Sequence, residues 1–285
     1  VVAVSFFAHT RLSGALFERG AISDDERATD SDADAALGRR LAARLVGPDT
    51  RAIVLLGTGR DVDIGQLLTT LHGCCPDIPV AGGTAADNMQ LQQTLVFDHG
   101  RACECGVVAV ALHGSDLRVH RYWHLSWQSI GKEMTVTKAN RSRLFELDHQ
   151  PAMQVYRRYL GDDIEHNFYK RVLAFPLLAR RGDMWVARVP FARLPDGALH
   201  FGADLHVGDK VHFGFASVPL ILATCGDLVR SVRADDVESV FVYSCAARQA
   251  FMQDAAEIET RPLAELAPTA GFFTYGEYFS CAGSH

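Results

Sequence analysis

The chain has 285 residues, of which 48% are hydrophobic and 22% charged, and a formal net charge of −6 at pH 7. That length is one large domain or two small ones, long enough to bury a core without covalent staples. The acidic balance disfavours a nucleic-acid binder, which would be basic, and no apolar run approaches the roughly 20 residues of a membrane span. The seven cysteines are an odd, scattered set without paired CxxC motifs, so the expected state is reduced thiols in the cytoplasm. No signal peptide is visible. The chain opens on Val1 rather than Met, as expected of a piece of a longer protein.

In chain order, Val1–His9 reads as a buried strand, being short and rich in β-branched and aromatic residues. Ser23–Asp34 is acidic and nearly free of large apolar residues, which predicts a loop. Leu37, Leu41 and Leu45 share one face of a helix over Ala35–Leu45, stopped by Gly47–Pro48. Ala52–Leu56 predicts a fully buried strand, Ile64–Leu71 a helix, and Ile78–Ala81 a strand that runs into Gly82–Gly83–Thr84. After Asn88 the pattern turns to hairpins: Leu91–Phe97 and Ala102–Leu112 flank the turn signal Asp98–His99–Gly100.

Leu117–Trp127 alternates with period 2 and predicts a strand, with His120 and His124 on one face. Met134–Lys138 and Leu144–Leu147 are further strands, and Pro151 opens a helix that Gly161 ends. Phe175–Leu178, Met184–Pro190, Ala198–Leu205 and Lys210–Phe215 read as strands, and Leu220–Arg230 as a helix. The chain closes with a buried strand at Val240–Ser244, a helix at Arg248–Ile258 and an aromatic strand at Gly271–Phe279. The expected fold class is mixed α/β (α+β), with two subdomains whose mixed or antiparallel sheets are flanked by helices. A boundary is expected near Gly161–His166, giving domains 1–161 and 162–285.

Several constellations invite a functional reading. Gly82–Asp87 (GGTAAD), with Gly82, Gly83 and Thr84 at its head, could let an anion such as a phosphate approach bare backbone amides, although it lacks phosphate-loop spacings and better suits a tight turn. Cys103–Glu104–Cys105 would put two thiols on one strand face about 6.6 Å apart. Without a second ligand pair this is no metal site. Cys245, between a strand and a helix, is the best-placed nucleophile, with Arg248 nearby. A thiol-dependent enzyme is therefore one reading, though no catalytic signature accompanies it. His120 and His124 lie four residues apart, about 13 Å along a strand, so either could serve a metal alone but not both together.

The C-terminal end is more specific. Ala270–Glu277 (AGFFTYGE) resembles the closing signature of the FIST C-terminal domain, and Tyr243–Arg248 (YSCAAR) its SCxxR element. Ala81–Asp87 (AGGTAAD), Trp127–Gly131 with Val136–Ala139, and Leu147–Gly161 with its LDxxPA and YLG elements are similar to the FIST N-terminal domain in order and spacing. Gln128–Ser129–Ile130–Gly131 stands where the family usually has a proline before the glycine. The family's closing strand continues beyond the point where this chain stops, so that strand is expected to be cut short.

The resemblance implies a sensory protein of bacterial signal transduction. It implies a small-molecule ligand and output through a histidine kinase of a two-component system, or through a diguanylate cyclase acting by cyclic-di-GMP. One branch senses nitric oxide through haem b, for which His124, ahead of His120, is the candidate axial ligand. An amino acid or another small metabolite, bound without haem, is the alternative. The ligand residues expected are Gly82, Gly83, Thr84, Cys245, Arg248, Thr274, Tyr275 and Glu277, with Arg248 partnering a buried Glu277 carboxylate. No catalysis is expected, and a homodimer is compatible with this reading.

Overall fold

The protein is described here by a computed structural model that covers residues 5, 7–22, 30–59, 62–166, 168–235 and 237–280. In chain order its elements are β1 (Arg11–Glu18), α1 (Asp30–Leu45), β2 (Thr50–Gly57), α2 (Ile64–Cys74), β3 (Val80–Thr84), β4 (Val96–Asp98), β5 (Arg101–Cys103), β6 (Gly106–His113), β7 (Gln128–Asn140), β8 (Arg143–Leu147) and β9 (Gln150–Pro151). They continue with α3 (Ala152–Leu160), α4 (Phe168–Leu173), β10 (Leu177–Arg181), β11 (Met184–Arg188), β12 (Pro190–Arg193), β13 (Leu199–Phe201) and β14 (Lys210–Phe215). The last are α5 (Val218–Ala234), β15 (Val240–Cys245), α6 (Ala246–Met252), α7 (Ala256–Ala264), β16 (Thr269–Thr274) and β17 (Glu277–Phe279). This is a mixed α/β fold, as the alternation of patterns predicts. No helix among the described residues is long and apolar enough to cross a membrane.

The chain forms two compact units, and neither is a continuous stretch. The first takes Val1–Arg121, Phe241–Ala246 and Ala270–His285, and the second Tyr122–Val240 and Ala247–Thr269. The units therefore do not part at a single cut near residue 161. The reason is strand pairing: a closing segment of the chain returns to complete the first unit's sheet.

That sheet runs in the order β1-β6-β2-β3-β17, with β2 and β3 parallel and the other pairs antiparallel. One face is covered by α1 and α2: Leu37, Leu41, Leu67 and Leu71 pack on Ile53, Leu55, Val107 and Ala109. On the other face Val96 and Cys103, from the β4–β5 hairpin, pack with Leu16, Leu56 and Val108. Alternate residues of β2 and β6 thus enter different cores. This is why AIVLL and GVVAVALH read as continuous apolar runs rather than alternating ones. Gly38 of α1 permits the helices to touch, since a Cβ there would stand 2.7 Å from the Leu67 carbonyl oxygen.

In the second unit an eight-stranded sheet takes the order β11-β10-β14-β7-β8-β13-β12, with β9 beside β8. The long β7 joins its halves: Gln128–Thr135 pairs with β14, whereas Val136–Asn140 pairs with β8. Bulges at both pairings let one strand bend between two sets of neighbours. Helix α3 starts after Pro151 and ends at Gly161, which takes φ 86°. It lays Val155 and the fully buried Tyr156 on Met134, Leu147 and Phe213.

Several expectations are corrected. The strand predicted at Val1–His9 lies partly outside the described residues. Of the rest, none is in a strand, and the first strand is β1. The acidic stretch Ser23–Asp34 lies outside them up to residue 29, and from Asp30 it is already helix. Leu91–Phe97 is mostly loop: only Val96–Asp98 pairs, and Asn88, Met89 and Leu91 all take positive φ. Leu117–Trp127 is not a strand. Alternation describes how side chains segregate, but a strand also needs a neighbour for its backbone, and among the described residues none pairs with this segment. Cys103 and Cys105 do not share a strand face, because β5 ends at Cys103 and the Cys105 amide turns back onto the Cys103 sulfur at 3.3 Å. Strand β15 is only half-buried, and Gly271–Phe279 splits into β16 and β17 around Tyr275–Gly276.

Candidate functional site

Two polar clusters hold most of the residues singled out in the sequence, one in each unit. In the first unit Gly82, Gly83 and Thr84 are not a loop but the end of β3, beside β17. Gly82 takes φ +153°, and a Cβ there would stand 1.8 Å from the Leu55 carbonyl oxygen of β2. No other residue type fits at that point. A Cβ on Gly83 would meet Thr274 Cγ2 at 2.5 Å. The two glycines thus let the sheet and the β16–β17 turn close on each other.

The turn is tied down at several points. The Thr84 amide donates to the Gly276 carbonyl at 2.8 Å, and the Tyr275 amide to the Thr84 carbonyl at 3.1 Å. Thr84 Oγ1 lies 2.7 Å from the Tyr278 hydroxyl, and burial raises that phenol's pKa well above its ordinary value. The Tyr275 hydroxyl donates to Asp87. Asp87 also accepts the backbone amides of Leu91, Gln92 and Gln93 at 2.9, 2.6 and 3.0 Å. The Tyr275 hydrogen bond first, and then these amides, hold the Asp87 carboxyl well below the usual carboxylate range. This clasp fastens the loop after β3 to the β16–β17 turn.

Glu277 is exposed rather than buried, and it accepts the Thr274 hydroxyl at 2.5 Å. Cys245 ends β15, the neighbour of β16. Val240 donates to Pro268 and Gly271 lies against Val242, so the two strands advance together and Cys245 comes level with Thr274. The structure thus brings Gly82, Gly83, Thr84, Thr274, Tyr275 and Glu277 into one neighbourhood, with Cys245 on the adjoining strand.

Arg248 is not part of it. It lies in the second unit, 5% exposed, and its partner is Glu259 of α7 rather than Glu277. Arg248 donates to both Glu259 oxygens through Nε, at 3.0 Å, and Nη2. Nη2 also donates to Ser126 Oγ at 2.9 Å, and the guanidinium sits 5.4 Å over the Trp127 ring. Ser126 Oγ is in turn 2.7 Å from Thr224 Oγ1, and the Cys225 thiol donates to the Glu259 carbonyl at 3.0 Å. The helices α5, α6 and α7 thus converge on one buried ion pair. Such a pair is tolerated in the interior only when both charges are hydrogen-bonded.

His124 borders this cluster. Its Nδ1 lies 3.1 Å from Ser126 Oγ and its Nε2 3.6 Å from Glu259 Oε1. Burial first, then the neighbouring Arg248 charge, pushes its pKa down to about 4, so the ring is neutral at pH 7. His120 is exposed. An axial haem ligand needs an imidazole nitrogen open to the iron and an apolar slot for the macrocycle. His124 instead turns both ring nitrogens to protein oxygens inside a polar cluster, so His124 as placed does not fit the role of axial haem ligand. Among the described residues no group of three or more His, Cys, Asp and Glu could hold a metal ion.

Sequence reasoning missed Tyr278 and Glu259, and it carried Asp87 only as the end of the glycine-rich segment, without a role of its own. Asp87 was legible as an acid ahead of the turn-forming Asn88. Tyr278 is defined by Thr84, 194 residues away, and Glu259 by Arg248, which is eleven residues away but on another helix, so neither carries a local signal.

Comparison with known families adds the last element. The FIST N domain model matches residues 1–150 and the FIST C domain model residues 152–280. No curated protein and no solved structure matches the chain. With the two matches in order and spanning almost every residue, the chain belongs to the FIST family, whose domains are small-ligand sensory domains of signalling proteins.

Proposed function

We propose that this chain is a non-catalytic sensor whose small polar ligand is read at the junction of β3, β17 and the β16–β17 turn. The observation that carries the reading is the clasp from Asp87 to Tyr275, closed over Gly82–Thr84 beside the exposed Glu277. Two carboxylates, Asp87 and Glu277, stand among the hydroxyls of Thr84, Thr274 and Tyr275. That donor and acceptor set suits a ligand with an amino group, such as an amino acid or a related metabolite, better than an anion.

Three residues of the loop that Asp87 anchors take positive φ without being glycine: Asn88, Met89 and Leu91. Such backbone persists only where its surroundings hold it. A ligand that competes for Asp87 or Tyr275 would release the loop, which gives occupancy a structural consequence. Output through a histidine kinase or a diguanylate cyclase in the cytoplasm belongs to this reading, on the strength of the family.

The test is a thermal-shift screen of amino acids and polyamines on the purified chain, repeated with Tyr275→Phe and Glu277→Gln. At least one amine ligand should raise the melting temperature of the wild type, and both variants should weaken that rise while staying folded. A ligand that stabilises all three proteins equally would place the site elsewhere. A Soret band in chain expressed with haem supply, abolished by His124→Ala, would overturn the haem-free reading.

A further inference from the structure

We propose that the second unit carries a separate binding site for a phosphorylated small molecule, in the depression between the β7–β8 and β12–β13 turns. The depression has a volume of about 470 Å³ and is lined by Asn140, Arg141, Ser142, Arg143, Leu194, Pro195 and His200. That is within the size range of pockets that hold small organic ligands, roughly 300–1,000 Å³.

The two turns are fixed by backbone hydrogen bonds. Phe201 donates to the Ser142 carbonyl at 2.8 Å and Leu205 to the Arg141 carbonyl at 3.2 Å. Leu194 donates to Ala198 at 2.9 Å and Gly197 to Leu194 at 3.0 Å. Arg141 takes φ 52° at the tip of its turn, so its exposed side chain projects from a defined backbone. His200 reaches across, with Nε2 3.1 Å from Ser142 Oγ and its ring 4.4 Å from that of Phe191. The walls of the depression are therefore built rather than loose.

The charge balance points to an anion. Arg141 has no ion pair among the described residues. Arg143 gives Nη2 to Asp196, while its Nε is buried without a partner. Asp196, the partner of Arg143, is not among the lining residues, and it also accepts the Ala198 amide at 3.1 Å. The lining thus holds two guanidinium groups and no carboxylate. The Arg141 guanidinium, the Arg143 Nη1 not given to Asp196, the Ser142 hydroxyl and the Asn140 amide offer more donors than the two oxygens of a carboxylate can use. The three terminal oxygens of a phosphate monoester match them better. Leu194 and Pro195 leave an apolar wall for the organic part of the ligand.

The site is distinct from the β3–β17 junction and does not depend on a ligand there. The test is an amide NMR titration of the whole chain with glycerol 3-phosphate, with glycerol and acetate as controls, on wild type, Arg141→Ala and His200→Gln. Saturable shifts confined to residues 140–143 and 194–200 are expected with glycerol 3-phosphate. Arg141→Ala should weaken the affinity about tenfold, as expected for losing hydrogen bonds to a charged group, and glycerol should produce no shifts. Arg141→Ala replaces an exposed side chain and should stay folded; His200→Gln keeps a hydrogen-bonding group beside Ser142 and should bind within a few-fold of wild type. No saturable shifts at these turns, or equal affinity in wild type and Arg141→Ala, would overturn the site. Acetate binding as tightly as glycerol 3-phosphate would overturn its phosphoryl specificity.

Discussion

Asp87 shows how one side chain can organise a loop. Its carboxylate collects three consecutive amides and a phenol hydroxyl, and these favour its charged form. Its pKa is lowered, so its contribution is present above the ordinary carboxylate range and lost as pH falls below it. Asp87→Asn should leave the global unfolding midpoint near wild type while amides 91–93 exchange several-fold faster with solvent, measured by hydrogen exchange. Gly83 makes the opposite kind of demand, for space. Gly83→Ala would put a methyl 2.5 Å from Thr274 Cγ2 and 3.1 Å from the Gly276 carbonyl oxygen. Overpacking of this kind costs about 1–3 kcal/mol, so denaturant titration should show a loss of that size and ligand response should fall with it.

At the scale of elements, α5, α6 and α7 are joined by the buried Arg248–Glu259 pair. Arg248→Ala would leave Glu259 buried and uncompensated, at a cost of about 3–5 kcal/mol, whereas Arg248→Met with Glu259→Leu should recover most of that loss. Urea titration of the two variants decides this. His124 adds a pH dependence. Its pKa is depressed in the folded chain, from 6.5 to about 4, so between those values the unfolded chain binds a proton that the native chain does not. Stability should therefore fall as pH drops from about 6.5 towards 4, by at most about 3 kcal/mol from this residue. His124→Gln should flatten that part of the stability–pH curve.

At the scale of the whole molecule, the chain passes between its compact units four times, after residues 121, 240, 246 and 269. Strand β17 supplies an edge of the first unit's sheet and places Tyr278 in its core. A fragment ending at residue 161 would lack β17, and it would also hold β7 and β8 without β10, β13 and β14. Such a fragment should show no cooperative unfolding transition by circular dichroism, whereas the full chain should.

Local patterns alone specified much of this fold. The leucines of α1, the apolar runs of β2 and β6, the proline before α3 and the glycine after it, and the Asp98–His99–Gly100 turn all act within a few residues. Their outcome follows from periodicity and backbone preference. The motif residues were legible too, and the β3 glycines and the TYGE segment do meet. Tertiary structure alone decided the rest. Leu117–Trp127 alternates but has no pairing neighbour among the described residues. Arg248 pairs with the buried Glu259 of α7, while Glu277 is exposed and accepts the Thr274 hydroxyl. Ion pairs, sheet edges and clasps are contacts between residues far apart in sequence, and their partners are fixed only when the chain closes the distance.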